Sequence, residues 1–407
     1  MPARASHHHL AMLRGATRLA LEATQGVTDL VEAMHATIGQ VPAPLSAVST
    51  TRTTGITGLV YRSVRGVTRL VGGGLEASLA ALGPLLGQSA SSPRREALIA
   101  VLNGVLGDYL ADTANPLAIT MQFRHQGEGL PLAAAELARS LGEPGPRLLV
   151  LVHGLCMSDL QWRRQGHDHG AALAADLGFT PVYLHYNSGL HVSTNGQRLA
   201  RELEALVREW PVPLDELVLL GHSMGGLVAR SAHHYASQAG MRWTRRLRRQ
   251  VFLGTPHLGA PLERGGHWIE QLLGVSPYTA PLARLGQIRS AGITDLRHGS
   301  LLDDDWQDLK HHEPVPRHPV PVPLPAGVAS YAIAATQGQS VGDLGDRLLG
   351  DGLVPLSSAL GRHRNPARQL SFPTDRQWVA HDTGHLELLN APEVYAKLRE
   401  FLAAKLD

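Results

Sequence analysis

Apolar residues change their spacing along the chain, and the change separates two regions. Within the first 112 residues they recur every three or four positions, the spacing of a helix with one buried face. Three such runs lie at 10–31, 56–82 and 93–110. Beyond that point, short continuous apolar runs alternate with helical ones, which is typical of strands buried on both faces. The pattern predicts an N-terminal amphipathic helical region, 1–112, followed by an α/β catalytic domain, 113–407.

The second region alternates predicted strands with predicted helices. The strands are expected at 117–123, 148–152, 181–186, 216–220, 250–253, 328–334 and 369–372, with a shorter extended piece near 130–132. The helices are expected up to 177, at 196–210, from about 226 and at 392–405. Strands that alternate with helices need crossover connections, so we expect a mainly parallel central sheet.

The alternation stops at about 259–326. This stretch contains short helical pieces near 268–272 and 280–288, and then a proline-rich run that starts at Pro314. A loop of this length inside a compact domain is usually functional or disordered. Its position beside the expected catalytic face predicts a cap or lid insertion.

Composition narrows the classes of function. The net charge of +2 over 407 residues gives no electrostatic support for general nucleic-acid binding. No uncharged apolar run reaches the ~18 residues of a membrane span, and the N-terminus lacks the apolar core of a secretory signal. The single cysteine, Cys156, cannot form a disulfide within the chain, which fits a reducing compartment. We therefore expect an intracellular protein.

The most informative motif is Gly-His-Ser-Met-Gly at 221–225. It follows the apolar run 216–220 and precedes a helical pattern, and a G-x-S-x-G between a strand and a helix is the nucleophile elbow. The glycines leave room for a tight turn that raises the serine hydroxyl above the sheet. Ser223 is therefore the predicted nucleophile.

A serine nucleophile needs a base and an acid that orients the base. In this arrangement the acid follows a late strand and the histidine precedes the last helix. Asp351 and His385 occupy these places in the sequence. Asp343 and Asp346 remain alternatives for the acid, and His381 is the alternative for the base.

Acyl transfer also needs two backbone N–H donors for the developing oxyanion. The amides of Leu155, after His153-Gly154, and of Met224, after the nucleophile, are the expected pair. Cys156 lies in the same loop, but no elbow surrounds it, so we expect it to be a packing residue. The dispersed histidines do not form a metal-binding pattern, and the predicted chemistry needs no metal or cofactor.

With these residues in place, the chain from about 115 to 407 resembles the α/β-hydrolase superfamily. The segment Gly-Thr-Pro-His-Leu-Gly-Ala at 254–260 resembles the G-T-P-H-x-G-A segment of a lipase branch that includes GPI-inositol-deacylase-like proteins. The resemblance implies a serine hydrolase that cleaves carboxylic esters or lipids through an acyl-enzyme, with a variable cap that sets acyl-chain preference. The residues expected to line or shape the substrate site are His153, Gly154, His222, Thr255, Pro256 and His257. His257 has the alternative role of bracing its loop.

Other functions stay open at this point. Acyl transfer to an alcohol and cleavage of a storage polyester use the same residues, and a non-catalytic scaffold on a particle or membrane is a further alternative. Residues 10–110 carry arginines beside their apolar stripe and are expected either to form a helical cap or homodimer contact, or to rest on a lipid or polyester surface. The arginine cluster at 242–249 is interpreted as a solvated helix end.

Overall fold

The computed structural model describes residues 93–260, 290–307, 319–338 and 350–405. The helices predicted at 10–31, 56–82, 268–272 and 280–288 lie outside these residues. The chain divides into two compact units, and the unit that contains the sheet comprises Ser92–Tyr109 and Ile119–Asp407. Of the other unit, only residues 110–118 are described, the last residues of a helix and the turn that follows, in which Asn115 Oδ1 accepts the N–H of Leu117. The domain boundary at residue 112 stays a prediction.

Eight strands form one open sheet in the order β2-β1-β4-β3-β5-β6-β7-β8. The strands are β1 Gln122–His125, β2 Glu128–Gly129, β3 Arg147–Val152, β4 Thr180–His185, β5 Glu216–His222, β6 Leu247–Leu253, β7 Ala329–Ala335 and β8 Gln377–Ala380. β1 is antiparallel to both of its neighbours, β2 and β4. The six strands β3 to β8 are parallel to one another. This is the mainly parallel central sheet that the alternating pattern predicts.

Two predicted strands are wrong in position. β1 begins at Gln122 rather than at 117, because backbone N–H groups before it bond to side chains. The Ile119 N–H, for example, donates to Asn103 Oδ1. The last strand is β8 rather than 369–372. Leu370 and Phe372 are buried in a loop, where the Leu370 N–H donates to the Gly361 carbonyl. Burial in a loop gives the same apolar run as burial in a strand.

Helices cover both faces of the sheet. The helices are α1 Pro93–Asp112, α2 Ala134–Leu141, α3 His169–Leu177, α4 Val192–Arg208, α5 Met224–Gln238, α6 Ala291–His298, α7 Leu356–Ala359 and α8 Pro392–Ala403. α3 and α8 pack together on one face, where Leu173, Leu398 and Phe401 join the core. α4 and α5 pack against each other, with Leu203 and Leu227 fully buried. None of the described helices is long and apolar enough to cross a membrane.

The strand order fixes where a site can form. From β3 the chain crosses to β4 on one side, and β5 then returns to the other side of β3. Ligands of open parallel sheets bind at such a switch point, beyond the carboxyl ends of the strands. The loops after β3 and β5 begin there, with His153 and Ser223. The predicted oxyanion loop and the predicted nucleophile are therefore neighbours.

Candidate active site

Ser223 lies in a strained turn between β5 and α5, with φ 54° and ψ −126°. A positive φ is costly for a residue with a side chain and persists only where the surroundings impose it. The glycines on either side allow the turn. A Cβ on Gly225 would lie 2.1 Å from the Val152 carbonyl oxygen, and one on Gly221 would lie 2.6 Å from Gly226 Cα. Any larger residue would push α5 away from the sheet.

Asp351 and His385 form a buried pair. Nδ1 of His385 lies 2.7 Å from Oδ2 of Asp351, and both side chains are less than 5% exposed. The other carboxylate oxygen, Oδ1, accepts the N–H groups of Leu353 and Val354 at 3.0 and 2.8 Å. These bonds fix the carboxylate, so the imidazole presents Nε2 on its opposite side.

Gly254, at the end of β6, connects this pair to Ser223. The Ser223 N–H donates to the carbonyl of Leu253 at 2.8 Å. A Cβ on Gly254 would lie 3.1 Å from both Cε1 and Nδ1 of His385, so the imidazole rests directly on this glycine. Ser223 and His385, the predicted nucleophile and base, therefore contact two adjoining residues at the end of β6, Leu253 and Gly254. Their catalytic roles stay predictions.

The alternatives for acid and base are placed differently. His381 is half-buried and has no bond to Asp351, and its Nδ1 has no hydrogen-bond partner. Asp343 and Asp346 lie outside the described residues. Among the candidate acids, Asp351 is the one whose carboxylate the described residues show against His385.

The two predicted oxyanion donors are the backbone amides of Met224 and Leu155. Met224 is the first residue of α5, and the first N–H groups of a helix have no partner within the helix. Leu155 follows Gly154, and within the described part of the chain no acceptor is bonded to its N–H. A Cβ on Gly154 would lie 3.0 Å from Ser223 Cβ, so this loop passes directly over the nucleophile.

The loop after β3 packs against α1. Cys156 has φ 60°, and its N–H donates to Ser188 Oγ at 3.1 Å. A Cβ on Gly104 of α1 would lie 2.8 Å from Cys156 Cα and 2.9 Å from its nitrogen. Burial raises the pKa of the Cys156 thiol to about 12, so the thiol stays protonated. Cys156 is thus a buried packing residue between α1 and the loop.

His153 and His222 are fully buried beneath the site. His153 Nδ1–H donates to the Gly154 carbonyl, and its ring stacks on Tyr186 with centroids 4.3 Å apart. His222 Nε2–H donates to the His385 carbonyl at 3.1 Å. Burial lowers the pKa of His153 to about 3 and that of His222 well below its ordinary value, so both rings are neutral. They support the loops, and substrate contact through them stays a prediction.

The segment after β6 is also buried. Thr255 contacts the elbow helix, because a Cβ on Gly226 would lie 2.0 Å from its Oγ1. His257 packs edge-on against Phe252 with ring centroids 4.8 Å apart, and Nη1 of Arg230 lies 3.3 Å from its Nδ1. The Gly259 N–H donates to the Pro256 carbonyl at 3.0 Å. The proposed bracing role of His257 agrees with these contacts, and direct substrate binding by this segment stays a prediction.

A cavity of about 370 Å³ opens beside the Asp351–His385 pair. Its walls include Arg164, Asp382 and Glu387, so this side of the pair is polar. The Glu387 carboxylate accepts the Gly384 N–H at 2.7 Å and fixes the start of the histidine loop. This cavity can admit water to the base.

A second charged cluster joins α1 to the sheet. Arg124 Nη1 donates to Glu96 at 2.9 Å and to Asp159 at 3.2 Å, and His185 Nδ1 lies 3.0 Å from the same Asp159 oxygen. Glu96, Asp159 and His185 are close enough to share a metal ion. Because Arg124 already binds both carboxylates, the cluster is an ion-pair network that anchors α1.

Sequence reasoning did not identify α1 as a support of the site. The available signal was Gly104 and Gly107 inside the amphipathic helix, since glycine there indicates close approach of another backbone. A Cβ on Gly107 would lie 1.9 Å from Asn187 Oδ1, and Asn187 Nδ2 donates to the Gly107 carbonyl. Which backbone approaches could not be inferred from local sequence.

Comparison with known proteins finds a family match within the part of the chain that contains the sheet. Residues 144–322 match the family described as the PGAP1-like alpha/beta domain. No curated protein matches the sequence significantly.

Several solved structures are similar to the chain. Bacillus licheniformis lipase BlEst2 in its mature form is 19% identical, with 64% of this chain and 95% of that chain covered and a TM-score of 0.40. Aspergillus fumigatus lipase B is 14% identical, with 68% and 59% covered and a TM-score of 0.37. A lipase-esterase related protein from Clostridium acetobutylicum is 13% identical, with 70% and 100% covered and a TM-score of 0.36.

Proposed function

We propose that this chain, in which residues 144–322 match the PGAP1-like alpha/beta domain, hydrolyses carboxylic esters through an acyl-enzyme on Ser223. The observation that carries the proposal is the Asp351–His385 pair, joined at 2.7 Å and resting on Gly254. An aspartate that orients an imidazole beside a serine in a strained turn is the arrangement that makes a hydroxyl nucleophilic.

In the proposed reaction, Ser223 Oγ attacks the ester carbonyl while His385 Nε2 accepts its proton. Asp351 holds the tautomer with the proton on Nδ1 and stabilises the imidazolium. The amides of Leu155 and Met224 donate to the oxyanion of the tetrahedral intermediate. His385 then protonates the leaving alcohol, and a water molecule deprotonated by the same imidazole releases the acid.

The proposal is tested with p-nitrophenyl esters of increasing acyl-chain length. Ser223→Ala should lose hydrolysis to the level of the control without enzyme, and a fluorophosphonate probe should label Ser223 in the folded protein. Ser237→Ala is the matched control, since this exposed serine also lies 3.3 Å from a histidine nitrogen, Nε2 of His233. A Ser223→Ala variant that hydrolyses the esters at the parent rate would rule the proposal out.

The same assay addresses the alternatives. Adding a competing alcohol should change the products only if the acyl-enzyme passes its acyl group to alcohols, which would identify an acyltransferase. We further propose that residues 10–110 bring the enzyme to a lipid or polyester surface inside the cell. Removing residues 1–92 should then lower the rate on emulsified long-chain esters and leave the rate on soluble short-chain esters unchanged.

A further inference from the structure

Arg230 is a buried cation. It lies on α5, seven residues after Ser223, and only 4% of its surface is exposed. Nη2 donates to the Val322 carbonyl, and Nη1 lies 3.3 Å from Nδ1 of His257. No carboxylate of the described residues pairs with it. Burial lowers its pKa to about 10, which still leaves the guanidinium charged at neutral pH.

Several N–H donors at this position are unused. A guanidinium has five N–H donors, and the Nε of Arg230 is buried without a partner. Since His257 accepts at Nδ1, its proton is on Nε2, and that N–H is also buried without a partner. Buried donors are almost always satisfied, so two orphaned donors on adjacent side chains call for an acceptor.

Arg230 and His257 line one cavity of about 270 Å³. His298, Arg368, Val320 and Val322 also line it. The residues that line this cavity include two arginines, two histidines whose pKa burial lowers, and no aspartate or glutamate. The arginines therefore make the cavity positively charged, and no carboxylate of its lining offsets them.

Removing a charge from water costs several kcal/mol unless an opposite charge or a full set of hydrogen bonds offsets it. Arg230 has only one carbonyl and one neutral imidazole for this purpose. A guanidinium matches the planar or tetrahedral oxygens of carboxylate and phosphate groups. From these contacts we propose that the cavity binds a compact oxyanion, a phosphate group, through Arg230, with His257, His298 and Arg368 around it.

The phosphate has two potential sources. It can be a free anion, or it can be the headgroup of a lipid, because seven helical residues place Arg230 about 10 Å from the nucleophile along α5. The inference does not depend on the proposed ester hydrolysis, since none of the four residues belongs to the predicted catalytic set of Ser223, Asp351 and His385.

Calorimetric titration of the full chain with inorganic phosphate tests the site, with chloride at equal ionic strength as the reference. We expect saturable binding that Ser223→Ala retains and that Arg230→Gln weakens at least tenfold. Arg246→Gln is the matched control, because this exposed arginine lies outside the cavity and should leave the affinity unchanged. Equal affinity of the parent and Arg230→Gln, or no binding of phosphate by the parent, would overturn the proposal.

Arg368→Gln keeps the test decisive if Arg230→Gln does not fold. Arg368 is only half-buried, so its loss should weaken phosphate binding roughly twofold to fivefold without unfolding the chain. Competition with a water-soluble dihexanoyl phosphatidic acid then separates the sources. If the lipid binds more tightly than inorganic phosphate, the source is a lipid headgroup. If the lipid does not displace bound inorganic phosphate, the source is a free anion. An Arg368→Gln protein that binds phosphate as tightly as the parent would contradict the proposed lining.

Discussion

Asp351 and His385 lie 34 positions apart in the chain, yet Oδ2 of the first and Nδ1 of the second are 2.7 Å apart. The hydrogen bonds of the Asp351 carboxylate predict the effect of replacing it with asparagine. In Asp351→Asn, Oδ1 can keep the amides of Leu353 and Val354, which turns the new NH₂ group toward His385. The imidazole would then have to accept at Nδ1, and Nε2 would carry the proton.

We therefore expect Asp351→Asn to lower kcat on p-nitrophenyl esters by a factor on the order of 10⁴, with little change in KM. Asp382→Asn is the control, since this exposed residue lines the same cavity. Its φ of 49° is one that asparagine tolerates well. Equal rates for the two variants would remove Asp351 from the mechanism.

Gly104 tests the support that α1 gives to the oxyanion loop. In Gly104→Ala the new Cβ meets the backbone of Cys156 at 2.8 Å, so either α1 or the loop must move. A displacement of the Leu155 amide by about 1 Å should lower kcat as much as 100-fold. Circular dichroism at the assay temperature should still show folded protein.

Gly145→Ala is the matched control for that variant. A Cβ there has no neighbour closer than 3.7 Å, and Gly145 has no left-handed φ. We expect activity and melting temperature close to those of the parent. If Gly104→Ala is as active as Gly145→Ala, the loop does not depend on α1.

Arg124 should be a large determinant of stability. Arg124→Met leaves the carboxylate of Asp159, which is 2% exposed, without its guanidinium. Breaking a buried ion pair on one side costs about 3–5 kcal/mol. The change is measured as the free energy of unfolding in urea.

Arg139→Met provides the comparison. Its pair with Glu136 is close, at 2.6 Å, but the two side chains are 69% and 41% exposed. Exposed pairs of this kind contribute about 0–1 kcal/mol. Similar losses in the two variants would show that burial does not set the strength of the Arg124 network.

The buried histidines predict that the protein is destabilised by acid. Burial lowers the pKa of His153 to about 3 and that of His169 to about 4, whereas the unfolded chain titrates near the ordinary 6.5. Between these values the unfolded state binds more protons, so stability is complete above about pH 6.5 and falls as the pH decreases toward the folded pKa. Each such histidine contributes up to about 1.4 kcal/mol per pH unit.

Urea unfolding at pH 7.5, 6.0 and 5.0 measures this slope. His169→Gln should reduce it by about one proton, because glutamine does not titrate and can still donate to the Leu388 carbonyl, as His169 Nε2 does. A slope unchanged by this substitution would mean that another group controls the acid sensitivity.

The sequence by itself determined the parts of this protein that depend on local physics. The apolar runs predicted five of the eight strands, β3 to β7, within a few positions, because burial on both faces leaves a continuous apolar run. The extended piece expected at 130–132 is instead the exposed pair Glu128–Gly129. The glycines around Ser223 predicted a tight turn, since only a residue without a side chain fits against Val152 and Gly226.

Only the tertiary structure decided which distant groups meet. The sequence left Asp343 and Asp346 as alternatives to Asp351. It contained no sign that Gly104 lies against Cys156, or that Arg230 is buried with no carboxylate of the described residues beside it. Spacing along the chain reports which face of an element is buried, but it does not report which element covers that face. The strand order and the packing of α1 and α5 supply that information, because they fix which side chains share a boundary.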